Sequence, residues 1–104
     1  MKKLYISQPM KGKTDEEILE VRERAIKRAT EYIGEEVEVI ESFIQGVPAE
    51  SKPLWYLSQS LALMSTADVV YFAEGWKDAR GCLIENMCAH QYEMDLIVEK
   101  DEAC

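Results

Sequence analysis

The sequence has few of the residues that build metal centres and disulfide frameworks. It contains one histidine, His90, and three cysteines, Cys82, Cys88 and Cys104. A single histidine argues against a His-rich metal centre. An odd number of cysteines without a Cys-x-x-Cys pair fits neither a disulfide framework nor a zinc site. We therefore expect no metal ion and no cofactor.

Long apolar runs and an excess of basic residues are also missing. No apolar run approaches the roughly 18 residues that cross a bilayer, and the apolar stretch near the start is too short for a signal peptide. The chain has 12 Lys and Arg against 20 Asp and Glu, a net charge of −8, which repels phosphate backbones. We expect a cytoplasmic protein that binds neither membranes nor nucleic acid polymers, although one local basic pocket can still hold a single phosphate.

The residues that are present are typical of one globular domain. Hydrophobic residues make up 47% of the 104 positions, too many for a disordered chain. The length favours one domain over two, and the sequence contains no repeat or linker. We expect a single domain over residues 1–104.

Short apolar runs alternate with helix patterns along the chain. The clearest helix begins at a capping box, Thr14 followed by Glu17, and ends at Gly34. A second helix is indicated by a stripe of Leu54, Leu57, Leu61 and Met64, and a third by residues 79–92. The segment 41–53 contains glycine and prolines and predicts a loop. The predicted strands are residues 3–7, 37–40, 68–73 and 95–98.

This alternation of strands and helices predicts an α/β fold with a parallel sheet and helices on both faces. Because crossovers are right-handed, we expect a small doubly wound, flavodoxin-like or Rossmann-like sheet of about four strands in the order 2-1-3-4. Ligands of such sheets bind beyond the carboxyl ends of the strands, where the strand order reverses. The loops at that point are residues 7–13 and 74–80.

The start of the third predicted helix has two unusual features. Gly81 is unfavourable there by up to about 1 kcal/mol relative to alanine, which is understandable if a ligand or another backbone approaches closely. Glu85 follows one turn later on the same face, and the helix N-terminus favours its ionised form as a nucleophile. The alternative is that Glu85 is an ordinary solvent-facing helix residue.

Three pieces of the sequence resemble the nucleoside 2-deoxyribosyltransferase superfamily. They are Tyr5-Ile6-Ser7-Gln8-Pro9-Met10, Ala67-Asp68-Val69-Val70 and Asp78-x-x-Gly81-x-x-x-Glu85. The resemblance spans most of the chain and is nearest to a small phage and bacterial branch whose members often begin Tyr-Ile-Ser-Gly-Pro-Met. The chain departs from the family where Gln8 replaces a glycine and where Asn86 and Met87 replace the usual Leu-Gly after the nucleophile.

The resemblance implies a double displacement on a 2'-deoxynucleoside or its 5'-monophosphate, through a covalent glycosyl-glutamate intermediate. Glu85 would be the nucleophile, Tyr5 would hydrogen-bond it, and Asp78 lies near the position of an acidic residue that contacts the sugar hydroxyls. Asp68 lies near an aspartate that contacts the base, and Lys11 would assist the first turn in holding the sugar or a phosphate. The candidate substrate-binding residues are Ser7, Gln8, Pro9, Met10, Lys11, Gly12, Asp68, Gly75, Trp76 and Gly81.

Two other functions remain open at this point. The same fold can bind a nucleotide as a sensor or regulator without turnover, or serve only as a structural or partner-binding protein.

The resemblance also implies a homodimer or a higher homo-oligomer. Trp55 and Tyr56 fit either such an interface, which we favour, or a base pocket, and Trp76 fits either stacking on a base or capping of a helix. We expect His90 to be a packed or surface residue.

Overall fold

The computed structural model describes residues 1–9, 12–41 and 52–99. Within these ranges strands and helices alternate as predicted, and a single 3-10 turn, Trp76–Asp78, precedes the third helix. The elements in chain order are β1 Lys2–Ser7, α1 Asp15–Ile33, β2 Val37–Val39, α2 Pro53–Met64, β3 Val69–Phe72, α3 Arg80–Gln91 and β4 Leu96–Val98.

All four strands are parallel and lie in the order β2-β1-β3-β4. Leu4 of β1 pairs with Val39 of β2 on one side and with Val69 of β3 on the other. The predicted class and strand order are therefore confirmed, and the order reverses between β1 and β3. The predicted loop at residues 41–53 falls mostly outside the described residues.

Helix α1 covers one face of the sheet. Its start is fixed by the capping box, in which the Glu17 backbone N–H donates to Thr14 Oγ1 at 3.1 Å and the Thr14 backbone N–H donates to Glu17 Oε1 at 3.2 Å. Its end is fixed by Gly34, whose φ of 86° is left-handed. The small side chains of Ala25 and Ala29 allow the helix to approach the sheet closely. The buried cluster on this face is Leu4, Ile6, Ala25, Ala29, Val69, Tyr71 and Ala73.

Helices α2 and α3 cover the opposite face. Its buried cluster is Tyr5, Met64, Val70, Phe72 and Ala89. Leu54, which the predicted stripe of α2 includes, is 74% exposed, so that part of the stripe is wrong. Residues 53–56 are all exposed, which shows that the first turn of α2 lies outside the packed layer.

Successive side chains of β1 point to opposite faces of the sheet, so the two faces carry different residues of this strand. Leu4 and Ile6 point towards α1, whereas Tyr5 and Ser7 point towards the face that α3 covers. A polar hydroxyl group is thereby placed on the α3 side at the carboxyl end of the central strand. Within the described ranges, no helix is both long enough and apolar enough to cross a membrane.

Candidate active site

The site is built around the carboxylate of Glu85, which is only 5% exposed. The Tyr5 hydroxyl donates to Glu85 Oε2 at 2.6 Å, and the Ser7 hydroxyl donates to Glu85 Oε1 at 2.9 Å. Each carboxylate oxygen therefore has a donor from β1. Two residues far apart from Glu85 in the sequence thus fix the orientation of a buried acid.

Local structure explains why these side chains meet. Tyr5 and Ser7 are two residues apart on a strand and therefore share one face. Glu85 lies on the inner face of α3 together with Cys82 and Ala89, at the three- and four-residue spacings of a helix. The carboxylate thus points at the sheet, and the alternative of a solvent-facing Glu85 is excluded.

Burial governs the electrostatics of the three groups. It raises the pKa of Glu85, and the hydrogen bonds from Tyr5 and Ser7 oppose part of that rise. Burial, followed by the charge of the neighbouring Glu85, also raises the pKa of Tyr5, so its hydroxyl remains a neutral donor. The pKa of the Cys82 thiol is raised mainly by burial as well, which disfavours the reactive thiolate.

Glu85 lines a cleft of about 610 Å³ that lies between the end of β1, the start of α1, the end of β2 and α2. Its volume is in the range of sites for small molecules. Apolar side chains form much of its wall, and Tyr5, Ser7 and Glu85 lie together at one side. The apolar and aromatic lining residues are Ile6, Ile18, Leu19, Val39, Ile40 and Tyr56.

The structure brings part of the predicted set together. Tyr5, Ser7, Gln8 and Glu85 all line this cleft. Glu85 and Tyr5 therefore have the mutual geometry that the sequence predicts. The role of Ser7 extends the prediction, because its hydroxyl binds the carboxylate directly.

Asp68 is not brought to the site, and this part of the prediction is corrected. Its carboxylate accepts a hydrogen bond from the backbone N–H of Lys3 at 2.7 Å, at the amino ends of β1 and β3. Ser7 and Phe72 pair at the opposite ends of the same strands. Phe72 follows Asp68 by four positions, which is about 13 Å along an extended strand.

Asp78 is not among the residues that line the cleft of Glu85. It is exposed in the 3-10 turn, where it lines a neighbouring hollow of about 400 Å³ together with Pro9 and Gly75. Gln8 lines both the hollow and the cleft. Contact of Asp78 with the sugar hydroxyls, which the resemblance implies, stays a prediction.

The remaining candidates differ in position. Trp76 is half-buried and packs on Phe72 with ring centroids 5.8 Å apart, so it is a core residue and its ring does not line the cleft. A Cβ at Gly81 would meet no atom within 4 Å, so no protein backbone crowds it. Gly12 is exposed, with a left-handed φ of 77°. Met10 and Lys11 lie outside the described residues.

Other residues of the cleft lie outside the predicted site. Tyr56, for which the sequence leaves both an interface and a base pocket open, lines the cleft, and Ser60, which was not predicted, follows it one turn later on the same face of α2. Ser60 also lowers the pKa of Tyr5 and so opposes part of the rise that burial causes. Arg22 of α1 forms an ion pair with Glu41 at the cleft wall. The spacing of Tyr56 and Ser60 is the one sequence signal that points to this wall.

The described residues offer no group of three or more His, Cys, Asp and Glu side chains that could hold a metal ion. His90 is exposed on α3, as expected of a surface residue. Around Glu85, the cleft offers its carboxylate, the hydroxyl groups of Tyr5, Ser7 and Ser60, and the amide of Gln8.

The fold and the site together define a class: small α/β proteins with a buried, doubly hydrogen-bonded glutamate at the carboxyl end of a parallel sheet. The chain belongs to the family described as a domain of unknown function (DUF4406), whose model matches residues 2–98. Comparisons with curated proteins and with solved structures gave no match. The resemblance to nucleoside 2-deoxyribosyltransferases therefore rests on the sequence motifs alone.

Proposed function

We propose that the protein transfers or hydrolyses the N-glycosidic bond of a 2'-deoxynucleoside or its 5'-monophosphate, with Glu85 as the nucleophile. The observation that carries this proposal is the arrangement of Tyr5, Ser7 and Glu85 at the wall of a cleft that is large enough for a nucleoside. A carboxylate held by two donors beside open space is suited to attack a bound sugar.

The reaction takes place in two displacements. A carboxylate oxygen of Glu85 attacks the anomeric carbon, the bond from that carbon to the base nitrogen breaks, and its electron pair leaves with the base. The sugar is then held as a neutral ester of Glu85. The departing base takes up a proton from solvent. Water or a second base then attacks the same carbon and releases a proton, which breaks the ester and restores the carboxylate. Two inversions give net retention of configuration.

The surroundings of Glu85 favour the first displacement. Burial makes its charged form less stable than in water, as the raised pKa indicates. Formation of the neutral ester removes that charge from the buried position, so part of the unfavourable burial is relieved as the reaction proceeds. Tyr5 and Ser7 act as positioning residues, because their donors keep enough of the carboxylate ionised and fix its direction.

A nucleotide-binding module without turnover would use the same cleft and is the second candidate. It needs the apolar wall and the hydroxyl groups, but it does not need a buried acid aimed at the sheet. The buried, doubly held carboxylate therefore favours the enzyme, since an acid in such a position lowers stability and is retained most simply for chemistry.

The test is chromatography of the protein after incubation with 2'-deoxynucleosides and their 5'-monophosphates, with a free acceptor base present. We expect free base or an exchanged nucleoside, and we expect this product to be lost in Glu85→Gln. Glu31→Gln is the matched control, because Glu31 is exposed on α1. It should retain full activity. Intact-protein mass spectrometry should show one added deoxyribosyl group on the active protein.

Other results would lead to other functions. An untouched panel, combined with a rise in Tm on addition of a nucleotide, would favour the binding module. An untouched panel without any rise in Tm would contradict both candidates. Product formation that persists in Glu85→Gln would exclude Glu85 as the nucleophile.

A further inference from the structure

The charged side chains that line the cleft of Glu85 are mostly acidic. Among the described lining residues, the carboxylates are Asp15, Glu41 and Glu85, and the one cation is Arg22. Asp15 lies in the first turn of α1, Glu41 follows β2, and Glu85 comes from α3. Carboxylates from three separate elements therefore face one cleft.

Arg22 is already engaged by one of these carboxylates. Its Nη2 donates to Glu41 Oε1 at 2.6 Å and its Nη1 donates to Glu41 Oε2 at 3.2 Å, which is a bidentate pair. The hydrogen bonds of this pair raise the pKa of Arg22 and lower that of Glu41. The guanidinium is thus matched to a protein carboxylate rather than left open for a ligand anion.

We infer that this cleft selects an uncharged 2'-deoxynucleoside over the corresponding 5'-monophosphate. The inference rests on the proposed function and names its substrate class. A phosphate monoester carries about −1.5 to −2 charges at neutral pH, and here it would meet Asp15 and Glu85 while Arg22 is paired with Glu41. The apolar wall, in contrast, can contact an uncharged base and sugar without electrostatic repulsion.

The phosphate would also affect the reacting group. A dianion beside Glu85 disfavours a second negative charge there and further raises the pKa of a carboxyl that burial has already shifted upward. The fraction of Glu85 that is ionised, and thus ready to attack, would decrease. Discrimination is therefore expected in the turnover rate as well as in binding.

The experiment compares a 2'-deoxynucleoside with its 5'-monophosphate in low salt. Calorimetric binding to Glu85→Gln and kcat/KM of the wild type are both measured. We expect the nucleoside to be favoured at least about tenfold in kcat/KM, and by a smaller factor in binding to Glu85→Gln, which lacks one of the two carboxylates that repel the phosphate. The preference should decrease as salt is added, because Asp15 is exposed and its repulsion of the phosphate is screened.

Two variants make the test specific. Glu41→Gln removes one carboxylate and releases Arg22, so it should abolish or reverse the preference for the nucleoside. Glu36→Gln makes the same change of charge at an exposed turn outside the cleft and should leave the preference unchanged. The Glu41 and Glu36 variants are compared at equal net charge.

The outcomes separate this inference from the proposed function. A nucleoside that binds selectively but is not turned over would overturn the glycosyl chemistry and leave the selectivity in place. Turnover with a preference for the monophosphate would overturn the selectivity alone, and would favour the predicted phosphate contact through Lys11. If neither ligand binds, both proposals are wrong.

Discussion

At the scale of single residues, two opposing effects determine the pKa of Glu85. Burial disfavours its charge, while the hydroxyl groups of Tyr5 and Ser7 stabilise that charge through hydrogen bonds. In the proposed reaction, the first effect favours the neutral ester over the charged carboxylate, and the second keeps the carboxylate ionised and oriented. Each effect can be removed separately by substitution.

Tyr5→Phe removes one donor to Glu85 and keeps the packing of the ring. A hydrogen bond to a charged group contributes about 1.5–3 kcal/mol, so we expect kcat/KM to decrease about 10- to 150-fold. The acidic limb of the pH–rate profile should move to higher pH, because the carboxylate loses a group that stabilises its ionised form. Steady-state kinetics over a range of pH measures both effects.

The control for this substitution is Tyr71→Phe. Tyr71 is a buried tyrosine on the neighbouring strand β3, and it points to the opposite face of the sheet. It should leave the acidic limb in place. An equal displacement of that limb in both variants would show that the effect is a general response of the sheet and not a property of the Tyr5–Glu85 bond.

Glu85→Gln should stabilise the folded protein at neutral pH. Because burial raises the pKa of Glu85 above its ordinary value of 4.5, the folded state holds a proton there more tightly than the unfolded state does. The contribution of this group to stability is therefore greatest below pH 4.5 and decreases as the pH rises through the raised value. Glutamine does not ionise and avoids this decrease.

Thermal unfolding between pH 4 and pH 8 tests this expectation. The Tm of Glu85→Gln should exceed that of the wild type at pH 7, and the difference should disappear towards pH 4. A gain of about 1 kcal/mol moves the Tm of a domain of this size by about 4–8 °C. Glu31→Gln should show no such dependence. A lower Tm for Glu85→Gln at pH 7 would mean that the two hydrogen bonds outweigh the effect of burial.

At the scale of elements, the parts that local chemistry determines could be predicted from the sequence. The start and end of α1 follow from Thr14, Glu17 and Gly34, which act on the backbone next to them. The alternation of elements predicts a parallel sheet, and right-handed crossovers restrict its strand order to a few possibilities that include the observed β2-β1-β3-β4. Neither requires knowledge of a distant contact.

Positions that depend on packing between elements could not be predicted as well. The apolar spacing of α2 includes Leu54, but only the tertiary structure shows that the first turn of this helix has no partner in the packed layer. Asp68 lies near a family motif position in the sequence, but its position before β3 places it at the amino end of the sheet, away from Glu85. The predicted strand over residues 68–73 already puts Asp68 at its amino end, so the predicted strand boundary disagreed with the role that the resemblance implies.

The residues of the candidate site also fall into two groups, those that the sequence predicts and those that it does not. The sequence predicts Glu85 and Tyr5 as a pair because both lie in the motifs that resemble the transferase superfamily. The structure places them in hydrogen-bond contact. Arg22, Glu41 and Ser60 were not predicted, because their positions in the cleft depend on how α1, β2 and α2 come together. These three residues belong to no motif that the sequence alone identifies.

At the scale of the whole molecule, charge is distributed unevenly over the two faces. Helix α1 has charged residues along its whole length, whereas the sequence has no charged residue from Pro53 to Ala67. On the outer surface of α2 and α3, large apolar side chains are exposed, namely Leu54, Trp55, Tyr56, Leu83, Met87 and Tyr92. An exposed apolar surface of this kind is typical of an interface.

We expect these six apolar side chains to form an uncharged surface that binds a second copy of the chain. Each copy has a net charge of −8, so two copies repel one another across most orientations. The uncharged surface is where that repulsion is smallest and where apolar area can be buried. Association should therefore strengthen as salt is added, because screening weakens the repulsion and leaves the apolar contact intact.

Sedimentation velocity at several protein and salt concentrations tests this expectation. Leu54→Glu and Met87→Glu introduce a charge at positions that are 74% and 64% exposed, so each should shift the protein to monomer without unfolding it. Tyr32→Glu, at a 57% exposed position of α1, should leave the dimer intact. A wild type that stays monomeric at high salt would contradict self-association. Equal dissociation in all three variants would place the interface elsewhere, because a charge on α1 would then matter as much as a charge on the uncharged surface.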